Sequence, residues 1–290
     1  QESANAAENL ITREEVPVIM GAWGSSATLA VMPVMARHGV PLVVETSSSV
    51  KITSTDTPGF EWVHRISPTS EMEAEAVKPY LANELTMKKV AILSVNNDWG
   101  RSAGDTFREV IESQGGQIVF ENYIDQSVTD VLPQLTEINS SEVDAIVMTT
   151  GAAQIATILK QYAELGMSQL VLTTGGSNYP VAIMHLSSSE IVNGTYHLMF
   201  YVPAEHHLAG DPVLSEWYYN AYHDAGYPQV GLGESYRGFD GVQVIAKAIE
   251  LNDCSLDQAG LNQALTRVEF AGLSGHIKFD EAEGHQSCPN

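Results

Sequence analysis

Short apolar runs rich in valine and isoleucine alternate along this chain with longer stretches in which apolar and polar positions recur at helical spacing. The runs "VPVIMG" (16–21), "VPLVVE" (40–45), "KVAILSV" (89–95), "GQIVFENY" (116–123), "DAIVMTT" (144–150) and "QLVLTT" (169–174) read as strands. The stretches 25–37, 69–85, 100–114, 131–140, 152–165 and 178–186 read as helices between them, with a further helix at the very start of the chain. Beyond residue 200 the pattern predicts helices near 211–225, 234–252 and 256–268, then a strand "HIKFD" at 276–280. Strands that are apolar throughout and alternate with helices predict an α/β fold, its parallel sheets covered on both faces. Repeats, low-complexity segments and flexible linkers are not visible, so two domains would be joined by short crossings.

The chain of 290 residues exceeds what one ordinary core fills, and two lobes are expected. Hydrophobic residues make up 44% and charged residues 17%, the balance of a folded protein. The formal net charge of −22 repels phosphate backbones and anionic lipid, which counts against nucleic-acid and membrane-surface partners. No apolar run approaches the roughly 18 residues of a membrane span. The two cysteines, Cys254 and Cys288, leave both pairing and redox compartment open.

Several chemistries fail on their motifs. A dinucleotide turn and a phosphate loop ending in Lys-Ser/Thr are both missing. "GRSAG" (100–104) fits the G-x-S-x-G nucleophile elbow, but "NNDW" intervenes after the strand and places Ser102 inside the first turns of a helix. A serine hydrolase using Ser102 is therefore the weaker alternative. The nine histidines are scattered, without the i, i+4 spacing of a helical metal pair, and neither metal nor cofactor is expected.

The strand ends favour binding over catalysis. "GAWGSSAT" (21–28) places Trp23, Gly24, Ser25 and Ser26 where a strand meets a helix N-terminus, whose free N–H groups and positive dipole end suit a carboxylate. A mere helix cap is the alternative for either serine. "ETSSS" (45–49) repeats the arrangement with Glu45, Thr46, Ser47 and Ser48. "NNDWG" brings Trp99, "TTGAAQ" brings Gly151, and "TTGGSNYP" brings Gly175. In open parallel sheets ligands bind at the C-terminal ends of strands, so these segments are expected to share a polar mouth.

Taken together, "ENLITREEVPVIMGAWGSSATLAVMPVMARHGVPLVV", "HRISPTSEMEAEAVKPYLANE", "KKVAILSVNNDWGRSAGDTFREVIESQGGQIV", "YRGFDGVQVIAKAIE" and "LSGHIKFDEAEGHQ" resemble the type I periplasmic solute-binding proteins of the branched-chain amino acid (Leu/Ile/Val) ABC-transporter class. The resemblance spans nearly the whole chain. It implies two Rossmann-like lobes with a hinge, lobe one over 1–66 and 203–268 and lobe two over 67–202 and 269–290. It implies capture of a small amino acid, amide or related carboxylate in the inter-lobe cleft, delivery to an ABC permease, and no enzymatic role. Location would be periplasmic or extracellular, with a lipid anchor left open. A ligand-sensing receptor or regulatory domain of the same fold is the other reading.

Residue by residue, Gly24 and Ser25 match the loop that holds the ligand carboxylate. Thr46 and Ser48 match the second carboxylate and amino contact. Trp99 matches an aromatic, usually tyrosine, that covers the ligand from lobe two. Ala152 and Ala153 fall near a further aromatic contact that this chain lacks. The acid that meets the ligand ammonium would fall at Gly175 or Gly176, where no acid stands; Glu45 is the expected substitute, unless it points into the sheet edge. Tyr236 would line the cleft or serve the core. Family members begin with a further strand–helix–strand unit, so the chain is expected to lack the first unit of lobe one and a closing piece at its C-terminus. Without that unit, poor folding of the isolated chain is expected.

Overall fold

The computed structural model describes residues 1–83, 87–175, 180–280 and 286–287. The chain divides into two compact units, the first built from residues 1–69, 201–228 and 232–290, the second from 70–200 and 229–231.

In unit 1, helix α1 (Glu2–Thr12) leads into strand β1 (Ile19–Met20), helix α2 (Ser25–His38), β2 (Leu42–Val44) and β3 (Val63–Arg65). The three strands are parallel, with Ile19 opposite Leu42 and Val44 opposite Arg65. Leu42 and Val44 pack on one core with Met32 and Met35 of α2, while Val43 faces a second core. This alternation is the period of a strand covered on both sides. Gly39 ends α2 in a left-handed conformation at φ 66°, with its N–H bonded back to the helix, as a helix-terminating glycine does.

Unit 2 starts with α3 (Ser70–Asn83) and continues through β4 (Lys89–Val95), α4 (Asp98–Ser113), β5 (Gln117–Ile124), α5 (Leu132–Ser140), β6 (Ala145–Thr149), α6 (Ala152–Glu164), β7 (Leu170–Thr173), α7 (Pro180–Leu186), α8 (Ser189–Val192) and β8 (Tyr196–His197). All pairs in this sheet are parallel, in the order β5-β4-β6-β7-β8. Ala91, Leu93, Ile146 and Met148 enter one core, and Val90, Ala145 and Val147 the opposite one. The α/β architecture with parallel sheets expected from the pattern is present.

The chain then returns to unit 1 with α9 (Pro212–Asp224), α10 (Leu232–Leu251), α11 (Gln258–Leu265), β9 (Glu269–Ala271), β10 (His276–Asp280) and β11 (Gln286–Ser287). Here three expectations need correction. Unit 1 is a mixed sheet, β1-β2-β3-β11-β10-β9, because β9, β10 and β11 pair antiparallel with one another while β11 runs parallel to β3. That pairing also puts the described part of 269–290 in unit 1, not in lobe two. The crossings fall at 69/70 and 200/201 where 66/67 and 202/203 were expected. Strand β3 escaped the pattern because two of its three residues, His64 and Arg65, are polar yet buried.

Candidate functional site

Two groups of strand ends carry the candidate residues, one in each unit. In unit 1, Gly21 N–H donates to Val43 O and Ile66 N–H donates to Val44 O, so the segments leaving β1, β2 and β3 emerge side by side. Gly24 is the N-cap of α2 and Ser25 its first residue. Ser25 is 2% exposed, and its Oγ accepts from Ser49 N–H at 3.2 Å. Ser47 Oγ donates to Ala22 O at 2.8 Å and pairs with Thr28 Oγ1 at 2.8 Å. Ser25 and Ser47 thus lace the two loops together. Ser48, next to Ser47, is also buried, and Thr46 donates to its neighbour Glu45 at 3.3 Å. Trp23 and Ser26 lie on the exposed side of the first loop.

Behind the second loop sits Arg65, fully buried. Its Nη1 donates to Ser49 O at 2.6 Å and Ser47 O at 3.4 Å, and its Nη2 to Thr53 Oγ1 at 2.5 Å. Ser67 Oγ also donates to Ser47 O, at 2.9 Å. Burial lowers the Arg65 pKa to about 9, which still leaves the guanidinium protonated at neutral pH.

Helix α10 closes one side of this mouth. A Cβ at Gly241 would meet the flexible Met20 side chain and touch Glu45 Cβ at 3.6 Å, so the helix lies close on the ends of β1 and β2. Glu234 and Arg237 precede Gly241 by seven and four residues, which puts all three on one helix face. The Glu234 carboxylate lies 3.1 Å from Arg237 Nε, and burial pushes its pKa up to about 7 against the pull of that guanidinium. Burial likewise raises the Glu45 pKa; Glu45 Oε2 makes no hydrogen bond, and Arg237 acts on it only through its field. Tyr236 is buried in an aromatic cluster, its ring 5.1 Å from that of Tyr201.

In unit 2, β4, β6 and β7 end together, with Ser94 opposite Thr149 and Met148 opposite Thr173. Trp99 lies in the first turn of α4, whose N-cap Asn97 accepts from Gly100 N–H at 3.0 Å. Gly151 is the N-cap of α6, with nothing within 4 Å of where its Cβ would stand. Gly175 adopts φ 66° and lies against the indole: an added Cβ would come within 2.5 Å of Trp99 Cζ2. The Thr149 and Thr174 hydroxyls pair at 2.6 Å beside it. The structure therefore joins Trp99 to Gly175 and adds a residue the pattern missed: buried Glu73 of α3, whose Oε2 accepts from Gly175 N–H at 2.7 Å. An acid does stand at Gly175, supplied from 102 positions earlier in the chain. Gly176 and Cys288 lie outside the described residues, and Cys254 is exposed.

Ser102 is buried in α4, with its Oγ 2.7 Å from Ser70 Oγ. It is the fifth residue of the regular helix α4 and not on the sharp strand-to-helix corner that exposes an elbow nucleophile. Among the described residues no group of three or more His, Cys, Asp or Glu could hold a metal ion, and no helix is long and apolar enough to cross a membrane.

Arg65, Glu73 and the Glu234–Arg237 pair were missing from the sequence reading. Arg65 had a signal, an arginine within "WVHRIS" where an apolar strand would otherwise continue. Glu73 had none, because "EMEAE" looks like the acidic first turn of any exposed helix.

The family model for periplasmic binding proteins matches residues 1–289. The crystal structure of the leucine binding protein LivK from Thermotoga maritima superposes with a TM-score of 0.86 at 25% identity, covering 99% of this chain and 79% of that one. A solute binding protein of an R. palustris ABC transporter, crystallised with benzoate, gives a TM-score of 0.86 at 18% identity, covering 100% of this chain and 77% of that one. Among curated sequences, the Leu/Ile/Val-binding protein homolog 3 of Brucella melitensis is 23% identical over 167 residues, 58% of this chain and 45% of that protein. The chain thus spans less than half the length of that curated relative.

Proposed function

The chain belongs to the periplasmic binding protein family, and from that premise we propose that it is the solute-binding component of an ABC importer. It captures a small carboxylate, an amino acid or a relative of one, and hands it to a membrane permease from the extracytoplasmic side. The observation that carries the reading is the lacing of two hydroxyl-rich loops, 21–25 and 46–49, over the N-terminus of α2 and the ends of β1 and β2. Main-chain donors and a helix dipole gathered at one point favour an anion without a lysine in contact.

Gly24, Ser25, Thr46 and Ser48 are assigned to the solute carboxylate, with Trp23 and Ser26 at the rim and buried Ser47 bracing the two loops. Glu45 is assigned to a cationic group on the solute, since its buried second oxygen lacks a donor. Tyr236 backs this side. In unit 2 the proposed contribution is the Trp99 indole over Gly175, with Gly151 leaving backbone approach open. Capture proceeds by hinge closure, a population shift driven by the contacts the closed state adds.

Thermal-shift assays against amino acids, their amides, benzoate and hydroxybenzoates test the reading. A ligand at a hundred times its Kd stabilises by about 2.7 kcal/mol, well within reach of the assay. A rise in melting temperature with at least one carboxylate is expected; no shift with any of them contradicts the proposal. Trp99→Ala is expected to weaken binding of that ligand with the fold intact, and unchanged affinity by calorimetry would remove Trp99 from the site.

A further inference from the structure

Among the described residues Arg65 is the largest fully buried side chain. Its cost is considerable, since a buried guanidinium gives up its hydration. What it holds is the loop that the proposed function assigns to the solute carboxylate. Nη1 takes the carbonyls of Ser47 and Ser49, Nη2 is anchored on Thr53 Oγ1, and Ser67 Oγ adds a second donor to Ser47 O.

The geometry of the peptide unit gives this clamp a consequence. In a planar trans peptide the C=O and the N–H of the next residue point in opposite directions. A carbonyl of Ser47 turned toward Arg65 therefore turns Ser48 N–H away from it. The adjoining N–H, that of Ser49, is taken by Ser25 Oγ. A hydrogen bond from a cation to the carbonyl also polarises the peptide and strengthens its N–H as a donor.

We propose that Arg65 is a positioning residue for anion recognition: by gripping the Ser47 and Ser49 carbonyls from behind, it aims and polarises the Ser48 N–H for the carboxylate of the solute. This rests on the carboxylate reading above and adds to it what aims the donor. A guanidinium suits the task because its planar fork reaches two carbonyls and a hydroxyl at once, which a lysine ammonium cannot do with the same fixed geometry.

The test compares acids with their amides, which have nearly the same shape but no charge. L-isoleucine is paired with L-isoleucinamide and benzoate with benzamide, in calorimetric titrations of the wild-type chain, Arg65→Met, Arg65→Lys and Thr53→Val, each checked for folding by circular dichroism. Wild type should prefer the acid. Arg65→Met should lose about tenfold or more of that preference, roughly one charge-assisted hydrogen bond, and Arg65→Lys should recover much of it. Thr53→Val, which only loosens the anchor, should weaken acid binding severalfold and leave the amide unchanged. A merely structural arginine would weaken acid and amide alike, and that result in a folded Arg65→Met overturns the proposal. Should Arg65→Met not fold, equal weakening of both probes in Thr53→Val and Arg65→Lys overturns it. A wild-type chain that prefers neither acid contradicts the underlying function as well, so the two failures are told apart by which protein shows them.

Discussion

Glu234 shows how a single side chain reports its surroundings. Its pKa stands at about 7 in the folded protein because burial disfavours the carboxylate more than Arg237 restores it. An acid whose pKa rises on folding binds protons more tightly in the native state. The stability it contributes is full below the unfolded pKa of about 4.5 and is lost as pH climbs through 7, by on the order of 3 kcal/mol. Glu234→Gln should flatten that part of the profile, so the fall in urea midpoint between pH 5 and pH 8 shrinks; an unchanged fall would mean that Glu234 is not the titrating group. His197 acts in the opposite sense. Burial lowers its pKa to about 4, and both ring nitrogens lie 2.7 Å from threonine hydroxyls, Thr173 and Thr195. Its contribution is complete above about pH 6.5 and disappears as pH falls through 4. Unit 2 should therefore be the acid-sensitive one, which amide exchange at pH 4 against pH 7 would resolve by residue. At Gly175 the argument is steric: Gly175→Ala adds a Cβ into the indole and strains a positive φ. It should displace Trp99 and shift its fluorescence, and an emission spectrum identical to wild type would deny the contact.

Elements are held in place by a few buried polar ties that periodicity does not reveal. Asp240, almost wholly buried on α10, accepts from Leu273 N–H at 3.0 Å, Ser274 N–H at 2.9 Å and Ser274 Oγ at 2.8 Å. It fastens the helix that flanks the mouth to the turn between β9 and β10. Asp240→Ala strands one buried and one half-buried amide and should cost about 3 kcal/mol; a loss under 1 kcal/mol in urea unfolding would show the tie to be dispensable. In the sequence "YRGFDG" offers no hint of this, since the partners lie 33 and 34 positions away. The long unit 2 strands were legible because their apolar residues run unbroken, and so were the helices that follow them. Strand β3 was not, because polar His64 and Arg65 are buried there, and neither were the antiparallel β9 and β11, whose pairing depends on contacts made from far along the chain. The polar strand ends were legible as a class from their serines, threonines and glycines. Which hydroxyls are spent on bracing, as at Ser25 and Ser47, depended on distances that spacing does not supply.

For the whole molecule the division into two units follows from two sheets, each with a core on both faces. The order of strands and helices suffices to imply that architecture. The exact crossings depend on where the last strands pair, and residues 269–280 return to unit 1 by pairing with its sheet. A net charge of −22 over 290 residues adds self-repulsion to every compact state. Raising NaCl from about 10 mM to about 0.5 M should screen it and raise the melting temperature; a fall would mean that specific ion pairs outweigh the repulsion. The central claim is that an acid group sits at the laced loops of unit 1. A crystal structure with the carboxylate that gives the largest thermal shift tests it most directly. The account predicts carboxylate oxygens within about 3 Å of Ser48 N–H. A ligand bound with its carboxylate away from both loops would contradict it.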